Sequence, residues 1–202
     1  MTKNTKTPKK EKRLSQIIDA AYQCIADKGY ENLTMESISE YSGLSRGAIN
    51  HYFKKKEEIL ASIILHLDRN LFKLVDDKIK DATKIEDYMR FRLSGSLDLA
   101  KDDPLFIKVI TDFLALAMSN PVHGEGIRKF FKKYRHLASV GLKPGLENGK
   151  YRKVIPEQIG AIAMAVIIGI GIQWVIDEKA FDYEKVAKIA EDMIMLYMET
   201  KG

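Results

Sequence analysis

From Leu14 onward, apolar side chains return every three or four positions, and no stretch of strand length alternates apolar with polar residues. That spacing collects apolar groups on one face of an α-helix, whereas one face of a strand needs a period of two. Leu14, Ile17, Ile18, Ala21 and Ile25 form a first stripe. Ile59, Leu60, Ile63, Ile64, Leu67, Leu71 and Leu74 form a longer one that runs to about Asp81. The residues between stripes are those of helix ends. Gly29 stops the first helix, Thr34 caps a short one through Ser42, Gly43 suits a left-handed turn, and Ser45 caps the next. Thr83 and Glu86 have the spacing of a capping box, and Asp103-Pro104 opens a helix that Asn120-Pro121 ends. A helix from about Gly124 to Glu147 closes on Asn148-Gly149; Pro156 opens another, and Asp182 caps the last. The expectation is an all-α chain of about nine helices.

Charge is distributed unevenly over the 202 residues. Residues 1–56 hold 11 Lys or Arg against 6 Asp or Glu, while residues 57–202 hold 22 of each, so the whole excess of +5 lies in the first quarter. A block of one sign points to a polyanion, either nucleic acid or an anionic membrane surface. Residues 3–13 alone read equally well as a solvated basic tail. No apolar run follows them as a signal peptide requires. The single cysteine, Cys24, excludes an intramolecular disulfide and fits a reducing cytoplasm. Residues 160–176 are apolar all round, but a membrane span needs roughly 20 residues. Glycines, Gln173 and the following Asp177-Glu178 also argue against a span. The segment reads as a helix buried on every side. Its strip Ala161, Ala165, Gly169 allows close approach of another helix, from a second subunit or from the same chain.

Residues 34–53, TMESISEYSGLSRGAINHYF, combine a short helix, a glycine turn and a second short helix. Ile38, Leu44, Ile49 and Phe53 are spaced to bury one face against the first helix. Ser45, Arg46, Gly47, Asn50, His51 and Tyr52 remain outward. Those are partners for base edges and phosphates, on a helix of the size a major groove admits. Gly47 and Ala48 let the backbone come close to DNA. Lys54, Lys55 and Lys56 follow at the start of the long helix, where free backbone N–H groups also favour a phosphate.

The segment resembles the helix-turn-helix of the TetR (tetracycline-repressor-like) family of bacterial transcription regulators. Thr34, Met35, Ile38, Gly43, Leu44, Ser45, Gly47, Ile49, Tyr52, Phe53, Lys56 and Leu60 fall in register with its pattern, and the likeness covers roughly residues 14–62. Ser39 and Ser42 replace small family alanines. Asn50 stands where the family has a tyrosine that touches a phosphate, and an asparagine can instead bond an adenine edge in two places. The resemblance implies a DNA-binding domain over residues 1–55, with contacts from Thr34, Ser45, Arg46, Gly47, Asn50, His51, Tyr52 and Lys54 to Lys56. It implies a helical ligand-binding and dimerisation domain over residues 56–202. The last two helices, with Ala161, Ala165, Gly169 and Met193, would pair two subunits on a palindromic operator of double-stranded DNA. A small apolar ligand would move the long fourth helix and release a repressor from that operator. Pocket candidates are Tyr88, Phe91, Arg92, Phe106, Phe113, Met118, Tyr134, Met164 and Trp174, each of which also reads as ordinary core. Arg92 lies near an apolar face and suits either an anionic ligand or contact with water.

No catalytic triad, metal cluster, phosphate loop or paired acids stand out, so no enzyme, cofactor or metal is expected. His66, His123 and His136 are scattered without metal-ligand spacing. Two rival readings remain: a DNA-binding protein of the same fold without a ligand, acting in chromosome organisation or division control, and a basic binder of membrane surfaces.

Overall fold

A computed structural model describes residues 8–56, 58–60, 62–63, 85–119 and 124–200. The chain divides into two compact units, Met1–Leu67 and Asp68–Gly202. Every regular element among the described residues is helical, as the apolar spacing requires.

In the first unit, α1 (Pro8–Lys28) begins six residues before the first apolar residue of its stripe. Part of the segment that also read as a basic tail is therefore helical, with proline at the first position, where no N–H is needed. Ile17, Ala21 and Cys24 are fully buried. The helix ends at Gly29, whose φ of 79° suits a residue without Cβ; its N–H donates to the Ile25 carbonyl at 2.8 Å. A single 3₁₀ turn, Tyr30–Asn32, leads to α2 (Met35–Ser42). Thr34 caps α2 reciprocally: the Ser37 N–H donates to Thr34 Oγ1 at 3.0 Å, and the Thr34 N–H to Ser37 Oγ at 2.8 Å. A serine here takes the role usually given to Glu or Gln. Gly43, at φ 65°, turns the chain into α3 (Arg46–Tyr52), which Ser45 caps through the Ala48 N–H at 3.3 Å. Gln16 of α1 fixes that turn by donating to the Ser42 carbonyl at 2.7 Å. Ile38, Leu44, Ile49 and Phe53 are buried as their spacing demands. The fourth helix, α4, is described over residues 56–63 except 57 and 61; Ile59, Leu60 and Ile63 are buried. Its continuation, Thr83, His66, His123 and the Asn120-Pro121 stop lie outside the described residues.

The second unit contains α5 (Ile85–Asp102), α6 (Pro104–Ser119), α7 (Gly124–Glu147), α8 (Pro156–Ile176) and α9 (Tyr183–Glu199). The expected caps form: the Phe106 N–H donates to Asp103 at 3.3 Å, and the Lys185 N–H to Asp182 at 3.2 Å. Helix α8 packs against α5, α6, α7 and α9. It approaches α7 closely at Gly160, where an added Cβ would lie 2.8 Å from Ala138 Cβ and 3.0 Å from Arg135 Cα.

Two points differ from the sequence reading. Helix α8 is not buried on every side: Ala161 and Ala165 are exposed, Ile162 is 51% exposed and Ile176 79% exposed. Among the described residues, α5, α6, α7 and α9 pack on it and leave part of its surface uncovered. The small-residue strip therefore faces outward, and the intrachain contact uses Gly160 beside it. Pro144 lies inside α7, a position that the helical spacing did not flag. By length and composition α8 is also the one single helix among the described residues that is able to cross a membrane.

Candidate nucleic-acid interface

Ile49 is 0% exposed, and this fixes the orientation of α3. With that side chain under the helix, Arg46, Gly47 and His51 are exposed, and Asn50 and Tyr52 half-exposed. Thr34 and Ser45 are also exposed, although both hydroxyls accept capping N–H groups. A Cβ added at Gly47 would meet nothing within 4 Å. Packing within the chain therefore does not demand glycine there; only an object outside it would. His51 and Tyr52 meet edge to face, ring centroids 5.4 Å apart.

The cations around α3 are held in different ways. Arg46 Nη1 donates to Glu36 Oε1 from α2. Lys54 Nζ donates to the Asn50 carbonyl at 2.7 Å. Lys56 Nζ lies 4.7 Å from the centroid of the buried Tyr30 ring, a cation–π contact that limits its swing. Lys55 is exposed. One expectation is modified. The Lys54 N–H at the approach to α4 is not open to a phosphate, because Glu58 Oε2 accepts it at 2.9 Å. A helix start left without a partner takes the nearest carboxylate. Beyond this cluster, the amino end of α1 carries Lys9, Lys10, Lys12 and Arg13. Lys9, Lys12 and Arg13 line an open groove of about 960 Å³ together with Gln16, Tyr41 and Ser42. Cations in the first turns of a helix oppose its dipole, so they do not stabilise α1. The sequence reading gave these residues no place at the site, although the charge block contained them.

Among the described residues, two of the second unit's pocket candidates line a common cavity. Tyr134 and Met164 line a small cavity of about 50 Å³ with Leu93, Ser96, Ala138, Gly160, Ala163 and Ile167. Phe106 and Phe113, each 2% exposed, belong to the core on α6. Met118 is 81% exposed at the end of α6. Trp174 packs edge to face on Tyr183, centroids 5.2 Å apart. The side chains of Tyr88, Phe91 and Arg92 lie outside the described residues. The small residues of the cavity wall gave no signal in the sequence, because alanine and glycine at helical spacing read as close packing.

Among the described residues, most of the large apolar side chains that remain exposed lie on α8 and α9. They include Ile162, Ile189 at 59%, Met193 at 66%, Leu196 at 68% and Tyr197 at 51%. Ile159, Ile162, Val166, Ala190, Met193, Ile194 and Tyr197 line a groove of about 220 Å³ there. Among the described residues no group of His, Cys, Asp and Glu is placed to hold a metal ion.

A capped short helix that turns its polar face outward after a glycine turn, joined to a separate helical unit, defines a helix-turn-helix DNA-binding regulator of transcription. Residues 17–63 match the bacterial regulatory proteins of the tetR family. Residues 88–198 match the carboxyl-terminal region of BetI-type transcriptional repressors. The chain belongs to the TetR family of bacterial regulatory proteins. It is 25% identical over 174 residues to the fatty acid metabolism regulator protein of Bacillus subtilis (strain 168), which spans 86% of this chain and 89% of that one. The HTH-type transcriptional regulator YfiR of the same organism, itself uncharacterised, is 32% identical over 152 residues, 73% of this chain and 72% of that one. The crystal structure of the regulator FadR from Bacillus subtilis in complex with stearoyl-CoA superposes with a TM-score of 0.76 at 22% identity. That likeness covers 91% of this chain and 98% of that chain.

Proposed function

We propose that this regulator is a cytoplasmic homodimeric repressor that binds a palindromic operator through α3 and is released by a small apolar ligand. The observation that carries the DNA-binding mode is the outward polar face of α3 over a fully buried Ile49, with Gly47 open to the surroundings. Residues 1–55 hold the DNA, and residues 56–202 serve ligand binding and pairing. Ser45, Arg46, Gly47, Asn50 and His51 work at or near base edges; Thr34, Tyr52, Lys54, Lys55 and Lys56 work at phosphates. The basic end of α1 adds sequence-independent attraction. Pairing through Ala161, Ala165, Gly169 and Met193 is supported by the apolar face that α8 and α9 leave uncovered.

The ligand reading rests on the wall of the cavity between α5, α7 and α8. Among the described residues it is apolar apart from Ser96 and Tyr134 and includes no acid. An acyl chain fits that chemistry, and the FadR relative holds stearoyl-CoA in its solved structure. The ligand-free reading also has an observation in its favour. About 50 Å³ is far below the roughly 300–1,000 Å³ of usual small-molecule sites. A long-chain acyl thioester that raises the melting temperature and weakens operator binding decides for the first reading; no effect on either decides for the second.

The DNA-binding mode is tested by fluorescence anisotropy on a selected operator and a scrambled duplex. Lys56→Ala should weaken both alike and lower the salt slope by about one unit. Asn50→Ala should spare the scrambled duplex and cost roughly 1–3 kcal/mol of discrimination. If neither substitution changes DNA binding, α3 is not the recognition helix.

A further inference from the structure

The surface that presents α3 carries a charge of the wrong sign. Glu36 is the second residue of α2, 62% exposed, and its carboxylate accepts from Arg46, the first residue of α3, itself 61% exposed. The bond links the first turn of α2 to the first residue of α3 through two long side chains. A carboxylate on a face that meets DNA repels every phosphate in range, so a surface built for affinity alone would not carry it. The first turn of α2 favours an acid, but an acid pointing anywhere would satisfy the helix dipole. This one instead reaches across to the recognition helix.

The effect on Arg46 is specific. An exposed arginine is free to swing toward any phosphate oxygen. The bond through Nη1 biases Arg46 toward one position, and its Nη2 and Nε groups remain outside that bond. A planar guanidinium biased in this way suits the two acceptors that guanine presents in the major groove. We infer that Glu36 is a specificity-determining positioning residue: it orients Arg46 for a guanine edge in the operator and repels the backbone of every duplex, a cost that only a duplex with that guanine offsets. The pair gives up general affinity and gains discrimination, a repulsive element of the kind specific binders use. This inference rests on α3 being the recognition helix.

The test uses a duplex selected from a random library by the wild-type protein, a scrambled duplex, and anisotropy over a range of salt concentrations. Glu36→Gln should lower the ratio of operator to scrambled affinity about tenfold. It should also tighten scrambled binding and steepen its salt slope by about one unit, as the freed Arg46 finds a phosphate. Arg46→Gln should lower the ratio as well. In the Arg46→Gln background, Glu36→Gln should then change the ratio by less than about twofold, the range of independent sites. Glu36→Asp keeps the charge with a shorter reach and should fall between. An unchanged ratio in Glu36→Gln overturns the inference, and so does an effect that persists without Arg46. If Asn50→Ala blunts selection while Glu36→Gln does not, the recognition helix stands and only the inference fails. If no variant alters DNA binding, both fall. Circular dichroism melts confirm that each variant is folded, and a purely structural Glu36 would move those melts without moving the ratio.

Discussion

A single added methyl group has opposite consequences at two glycines, depending on what lies outside the backbone. At Gly47 a Cβ would meet nothing within 4 Å. Gly47→Ala should therefore stabilise the folded chain by about 0.5–1 kcal/mol through helix propensity, read as a raised melting temperature. The same substitution should weaken binding to operator and scrambled duplex together, because the backbone can no longer approach the groove as closely. Higher stability with undiminished DNA binding would show that Gly47 faces only water. Gly160 is the reverse case, since its Cβ would press on Ala138 and on the backbone of Arg135. Gly160→Ala should cost about 1–3 kcal/mol in urea denaturation, because a packed helix pair must separate to admit it. The serine and threonine caps were legible as letters in the sequence, because a cap needs one residue type at one position. The partners of Arg46 and Lys56 were not. Glu36 and Tyr30 are brought to them by the fold, and nothing in their spacing announces it.

Elements were legible wherever one face is buried and each end is marked. Helices α2 and α3 show both, and Gly43 between them adopts the left-handed turn its type predicts. The beginning of α1 and the outer face of α8 were not legible, for different reasons. A lysine-rich helix turn has no apolar period to betray it. A helix apolar on all sides gives no clue to which side its own chain covers. Tyr183 ties two elements together by donating its hydroxyl to the Leu97 carbonyl, joining the start of α9 to α5. Burial, reinforced by the Asp98 and Asp102 carboxylates, holds its phenol well above the ordinary value. The folded pKa is raised, so the associated stability is fully present below the unfolded value of about 10 and is lost as pH rises through and beyond it. Denaturation midpoints should fall as the pH is taken above about 10. Tyr183→Phe should lower stability by about 1 kcal/mol at neutral pH and flatten that decline.

At the scale of the whole molecule, the two units leave open different kinds of surface among the described residues. The first unit exposes cations and a polar helix face; the second exposes Ile162, Ile189, Met193 and Leu196. The proposed pairing predicts that Met193→Lys, or Ala165→Arg, places a charge in a buried contact. Sedimentation at micromolar concentration should then show a dimer for the parent chain and monomer or aggregate for the variant. A monomeric parent would refute the pairing and the palindrome with it. The sequence disclosed that such a face exists, through the strip at Ala161, Ala165 and Gly169, but left open whether the same chain covers it. That question depends on how many helices surround α8, which no local pattern encodes. With pairing through α8 and α9, the surface that joins subunits lies in a different unit from α3. A chain with a ruined α3 would therefore still capture a sound partner and leave it with half a grip on the operator. In a cell carrying both alleles, lesions at Arg46 or Asn50 should be dominant, silencing the intact copies they sequester. Lesions such as Met193→Lys should be recessive, since those subunits never enter a mixed pair.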